Sequence, residues 1–142
     1  MRIFTSQEEE NIARAISAAE NHTSGEIRIC IEKKCPDDVI NLATKRFVEL
    51  NMGKTVLKNG VLIFLAVDDH KFAIIGDSGI DAKVPANFWE ETKNIMMELF
   101  KKGQFSEGLI AGIERAGFQL KAFFPRSDDD INELPDDIVY IK

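Results

Sequence analysis

Basic residues are not in excess in this chain. Its 18 Lys and Arg stand against 24 Asp and Glu, a formal net charge of −6. A nucleic-acid surface needs a basic face, so no nucleic acid is expected as a partner. Long apolar runs are missing too. Val61–Val67 holds seven consecutive apolar residues, far short of the roughly 18 that a membrane span needs. Cysteine is scarce: Cys30 and Cys35 are the only two. Their spacing is neither a CxxC redox pair nor a zinc pattern, and two thiols make no disulfide scaffold. They read as free thiols in a reducing compartment. The opening residues Met1 to Thr5 lack the apolar segment of a signal peptide, so the expected location is the cytoplasm. There is no P-loop and no GxGxxG.

What is present fits one ordinary domain. The chain has 142 residues, 44% hydrophobic and 30% charged, enough apolar content for a core. The charge is uneven. Residues 127–142 carry six acids and one Lys, while residues 1–126 carry 18 acids and 17 bases. The expected division is therefore a domain over 1–125 and an acidic tail over 126–142. Asp128, Asp129 and Asp130 repel one another, so mobility is expected from Arg126 to Asn132. Ile138 to Ile141 have strand propensity and could dock on an open sheet edge.

Hydrophobic periodicity orders the rest. Ser6 and Glu9 suggest a capping box, and Ile12, Ala15, Ile16 and Ala19 follow at helical spacing. Glu26 to Glu32 alternates, with Ile27, Ile29 and Ile31 on one face, as in a strand with one face on the core. Pro36-Asp37-Asp38 opens a second helix with Ile40, Ala43, Phe47 and Leu50 on its stripe, stopped at Gly53. After Asn59-Gly60, the run Val61–Val67 reads as a strand covered on both faces. Phe72 to Ile75 completes a hairpin. Pro85 opens a third helix and Ser106 caps a fourth, in which Gly108 and Gly112 permit close packing. The order α-β-α-β-β-α-α predicts an α/β fold: a small mixed β-sheet with helices on both faces.

This topology gathers carboxylates at two opposite ends of the sheet. One end holds Glu26, Asn59, Asp77 and Asp81; the other holds Asp37, Asp38, Asp68 and Asp69. Hard cations such as Ca²⁺ take several carboxylate and carbonyl oxygens. Both sets are candidate metal ligands, and Asp77, leaving its strand between two glycines, has the best claim. Other motifs fail. Gly76-Asp77-Ser78-Gly79 spells a serine-protease neighbourhood, but the chain is too short for that fold and neither His22 nor His70 has a triad context. Asp128, Asp130 and Asn132 match the first EF-hand spacings, yet Glu133 replaces the required Gly. No residue stands out as a nucleophile or catalytic base.

Several segments are similar to the TPM domain, the family named for a thylakoid lumen protein, a photosystem II repair protein and a worm receptor modulator. They are Thr23-Ser24-Gly25-Glu26-Ile27, Lys58-Asn59-Gly60-Val61-Leu62, Phe72 to Ile80 and the Gly103-x-Phe105-x-x-Gly108 pattern. The resemblance runs from about residue 6 to 125. It implies a compact α/β sandwich, with phosphatase activity in some relatives and calcium binding in others. The leading expectation is a monomeric domain binding a divalent cation, Ca²⁺ first among them. The alternatives are a metal-assisted phosphatase and a non-catalytic module that binds a protein partner.

Overall fold

The computed structural model describes residues 3–126 and 138–141. The elements run α1 (Ser6–Glu20), β1 (Glu26–Glu32), α2 (Val39–Glu49), β2 (Gly60–Ala66), β3 (Lys71–Gly76), α3 (Ser78–Asp81), α4 (Glu90–Lys101), α5 (Phe105–Lys121) and β4 (Val139–Tyr140). The expected α/β class holds, and the expected element order gains the single turn α3 after β3 and the short β4 at the end. Strand order is β3-β2-β1-β4. β1 and β2 are parallel, from Glu26 opposite Gly60 to Glu32 opposite Ala66. β2 and β3 are antiparallel, from Val61 opposite Gly76 to Ala66 opposite Lys71.

Helices cover both faces of this sheet. Ile27, Ile29, Ile31, Val61, Ile63 and Leu65 point into a core shared with Ile12 and Ile16 of α1, Met96 and Phe100 of α4, and Leu109, Ile113 and Leu120 of α5. The opposite face carries Cys30, Leu62, Phe64, Ala66 and Ala73, which α2 covers with Ala43 and Phe47, joined by Met52. The glycines of α5 allow close approach. A methyl on Gly108 would sit 2.4 Å from the Phe100 ring, and one on Gly112 would sit 2.5 Å from the Met96 sulfur. Packing, not function, accounts for that pair.

β1 differs from its expected one-sided burial. Every residue except Arg28 is buried, because α2 lies over the alternate face. Glu32 thereby loses water, and Arg46 of α2 answers it with bonds from Nε to Oε2 at 2.7 Å and from Nη2 to Oε1 at 2.9 Å. That side-on pairing with Glu32 holds the Arg46 guanidinium charged, its pKa raised above the ordinary value. Both thiols are buried and free.

Helix boundaries shift by a few residues. The capping box of α1 is Thr5 with Glu8, not Ser6 with Glu9: Glu8 N donates to Thr5 Oγ1 and Thr5 N donates to Glu8 Oε1. The Thr5 N–H first, and then the Ser106 hydroxyl, bond to the Glu8 carboxylate and lower its pKa. α2 ends before Asn51, which takes the left-handed conformation (φ 59°) expected of Gly53. Asn tolerates that region well. α4 begins at Glu90 rather than at Pro85, and Gln104 rather than Ser106 precedes α5. Ser106 Oγ instead donates to Glu8 Oε2 across 98 positions of chain.

β4 pairs in parallel with β1, Cys30 opposite Val139 and Ile31 opposite Tyr140. Ile141 N donates to Ile31 O at 2.8 Å. The expected docking of Ile138 to Ile141 thus occurs on the domain's own sheet. Arg126, expected to be mobile, donates from Nη1 to Glu20 O at 2.9 Å. The remainder of the tail expectation falls on residues 127–137, outside the described residues.

Ile63 and Leu65 are 0% and 1% exposed. Replacing either by Ala should lower unfolding free energy by about 2–5 kcal/mol in a denaturant titration. Burial pushes the Cys30 thiol up to about 12, so Cys30 should not react with an alkylating reagent in the native protein below about pH 9, and should react once it unfolds. Because the folded value lies above the unfolded one, Cys30 also withdraws stability as pH rises from about 8.5 towards 12.

Candidate functional site

The pairing register brings three segments together at one end of the sheet: the turn before β1, the loop Asn51–Asn59 before β2, and the exit of β3 into α3. Backbone bonds tie them. Glu26 N donates to Asn59 O at 3.3 Å, Asp77 N to Gly60 O at 3.0 Å, and Gly79 N to Lys58 O at 2.8 Å. The last contact is close enough to demand glycine. A methyl on Gly79 would sit 2.2 Å from Leu57 O and 2.5 Å from Lys58 O. Thr23 Oγ1 donates to Phe124 O, and Ser24 N donates to the same carbonyl at 2.8 Å. The far end of α5 is thereby clasped to the turn before β1.

Asp77 stands where these segments meet. Its Oδ1 accepts from Ser78 N at 2.7 Å and so caps the single turn of α3. The Gly-Asp-Ser-Gly stretch is a strand exit running into that turn. The second carboxylate oxygen, Oδ2, is buried and has no hydrogen-bond partner. It faces Gly53, where an added methyl would lie 3.9 Å away. Thr55, 3% exposed in the same loop, also buries its hydroxyl oxygen without a partner. Glu26 is 2% exposed at the mouth of β1. Buried polar oxygens are normally satisfied, and each exception calls for a reason.

The other named residues of this end differ. Asn59 is 2% exposed, and its Nδ2 donates to Ser24 Oγ at 3.3 Å. Asp81 lies on the exposed side of α3. Cations border the site. Lys58, in a left-handed conformation (φ 53°), donates from Nζ to Gly53 O. Arg28 donates from Nη1 to Leu50 O at 3.4 Å and leaves its buried Nε without a partner. Thr55 and Arg28 carried no signal in the sequence: a threonine in a lysine-bearing loop looks like any surface residue. Glu20 was equally silent. Its Oε2 accepts from Ile27 N at 3.1 Å and secures the start of β1.

At the opposite end the acidic residues hold the chain together. Asp38 Oδ1 accepts from Ile40 N at 2.7 Å and Asn41 N at 3.3 Å, capping α2. Asp69 Oδ2 accepts from Cys35 N at 2.6 Å. Lys71 Nζ donates to the carbonyls of Cys35 and Asp37 at 3.0 and 3.3 Å, the oxygens an ion would otherwise share. Asp68 is exposed at the hairpin tip. Among the described residues, no three His, Cys, Asp or Glu side chains converge as a set able to hold a metal ion. No described helix is long and apolar enough to cross a membrane.

A sequence profile described as the TPM domain matches residues 1–118. The NMR structure of BA42 protein from the psychrophilic bacterium Bizionia argentinensis is 46% identical, with a TM-score of 0.93 over 98% of this chain and 96% of that one. The N-terminal domain of a P. gingivalis protein shares the fold at 18% identity and TM-score 0.69, over 86% of this chain and 79% of that one. The N-terminal domain of cg2496 protein from Corynebacterium glutamicum does so at 12% identity and TM-score 0.66, over 92% and 80%. Comparison with curated proteins yields no match.

The contact at Gly79 is directly testable. Gly79→Ala should force the loop before β2 away from α3 and cost about 1–3 kcal/mol in thermal unfolding. Stability equal to that of the parent protein would show that the loop is not held against α3.

Proposed function

This chain belongs to the TPM domain family, and from that footing we propose that it binds a divalent cation, Ca²⁺ first, at the end of the sheet that carries Asp77. The observation that carries the reading is the buried Asp77 Oδ2 without a partner. A carboxylate oxygen removed from water and left unanswered is costly. A hard cation would answer it, and would also use the Thr55 hydroxyl, the Glu26 carboxylate and loop carbonyls, all oxygen donors. Asn59 and Asp81 would act at the margin. Asp37, Asp38, Asp68 and Asp69 form the less favoured set, since Asp38 and Asp69 already hold backbone N–H groups.

Seven-fold oxygen coordination is not required for this role. Calcium keeps waters where protein donors run short, and two carboxylates with neutral oxygens suit a weak, exchanging site. A bound ion at this place would also polarise a phosphoryl oxygen and lower the pKa of bound water, which is the chemistry a metal-assisted phosphatase needs.

Two-dimensional NMR with added Ca²⁺ should shift residues 53–55 and 77–81. Asp77→Asn should weaken binding about tenfold or more, while Asp128→Asn should leave it nearly unchanged. Shifts confined to residues 127–137, or none at all, would refute the cation site. Turnover of a generic phosphate monoester, if present, should vanish with chelator and with Asp77→Ala while the circular dichroism spectrum persists. Turnover that survives both changes would rule out this site as its source.

A further inference from the structure

The hairpin tip between β2 and β3 and the turn between α4 and α5 enclose a cleft at the end of the sheet opposite Asp77. Its inner part is a cavity of about 250 Å³, lined by Leu65, His70, Phe72, Met97, Lys101 and Phe105 over Phe100. Beside it lies a shallow, solvent-open depression that shares His70, Phe100, Lys101 and Phe105 and adds Lys102 and Asp68. We propose that this cleft binds a small carboxylate bearing an aromatic ring, an aryl-alkanoate.

The inner walls are aromatic and already arranged edge to face. Phe72 meets Phe100 at 5.0 Å between ring centroids and 80° between planes, and His70 meets Phe105 at 6.2 Å and 75°. Phe100 and Phe105 are 5.8 Å apart at 32°. A flat aromatic guest can continue such an array, gaining both burial and quadrupole attraction. The array is not a closed core, because Met97 on its rim is 41% exposed. His70 holds its place in a left-handed conformation (φ 54°).

The charge at the mouth selects an anion. Lys101 and Lys102 form no ion pair with the described residues. Among the residues lining the cleft, Asp68 is the one carboxylate that opposes them. α5 starts here, but the Glu8 carboxylate, which accepts from Ser106 Oγ, and Glu107 already stand at its first turn, so the two lysines carry the selection of an anion. The last carbonyls of α4, up to Lys101, add negative potential beside them. A single negative charge fits this balance better than a phosphate dianion. An apolar pocket with a few convergent polar groups is the usual form of a small-ligand site.

The probe is hydrocinnamate, titrated into the full chain with chelator present and followed by two-dimensional NMR. Saturable shifts are expected at His70, Phe72 and residues 100–105, with contacts between the ligand ring and Phe105. Hydrocinnamyl alcohol, which keeps the ring and removes the charge, should bind about tenfold more weakly. The exposed pair Lys101→Gln and Lys102→Gln should weaken hydrocinnamate by a similar factor and leave the alcohol unchanged. No saturable shift, equal affinity for acid and alcohol, or shifts centred on residues 53–55 and 77–81 would each overturn the proposal. Chelator separates this outcome from that of the cation site.

Discussion

Strand β2 meets solvent on neither face: all seven of its residues are buried. A strand of this kind must find apolar cover on both sides, and the other elements are disposed to supply it. α1, α4 and α5 close one face and α2 closes the other. Each large β2 side chain buried this way contributes about 1.5–3 kcal/mol, so β2 sets much of the stability. The cost falls on its neighbour. β1 shares both layers and must take Glu32 out of water, which is tolerable only because Arg46 reaches it side-on from α2.

The same register creates the polar end. Parallel pairing of β1 with β2 and antiparallel pairing with β3 place the start of two strands and the finish of the third at one edge of the sheet. The loop before β2 then folds across that edge, held by Gly79 against Lys58 O. Asp77 is caught between its two duties. One oxygen caps α3 while the other is shut under the loop at Gly53. The opposite edge uses its acids differently, as caps and loop ties, with Lys71 set among the carbonyls.

Much of this was legible from residue order. The unbroken run Val61–Val67 announced a doubly covered strand. The strict alternation of Glu26, Arg28, Cys30 and Glu32 misled, because period two reports polarity and not what lies above it. The Arg46–Glu32 pairing helps make that polar face habitable. The α1 cap was legible to within a residue, since Thr5 and Ser6 are both suitable and only geometry chooses, whereas α4 starts well after Pro85. The acidic residues at both ends could be named, but not their tasks. A carboxylate that caps a helix and one left unanswered are the same letter, and Thr55 gave no letter-level sign at all.

The clasp between Thr23, Ser24 and Phe124 joins positions 101 residues apart. Closing a loop of that size costs chain entropy that grows slowly with length, about 0.6 kcal/mol per doubling, and it returns little until the intervening layers exist. Its formation therefore belongs late on the folding route, after local helices and the β2–β3 hairpin. Contacts of such wide sequence separation slow the search for the native state. The turn before β1 is thus held by a bond between distant parts of the chain, and the polar end of the sheet is complete only when Phe124 has come back to it.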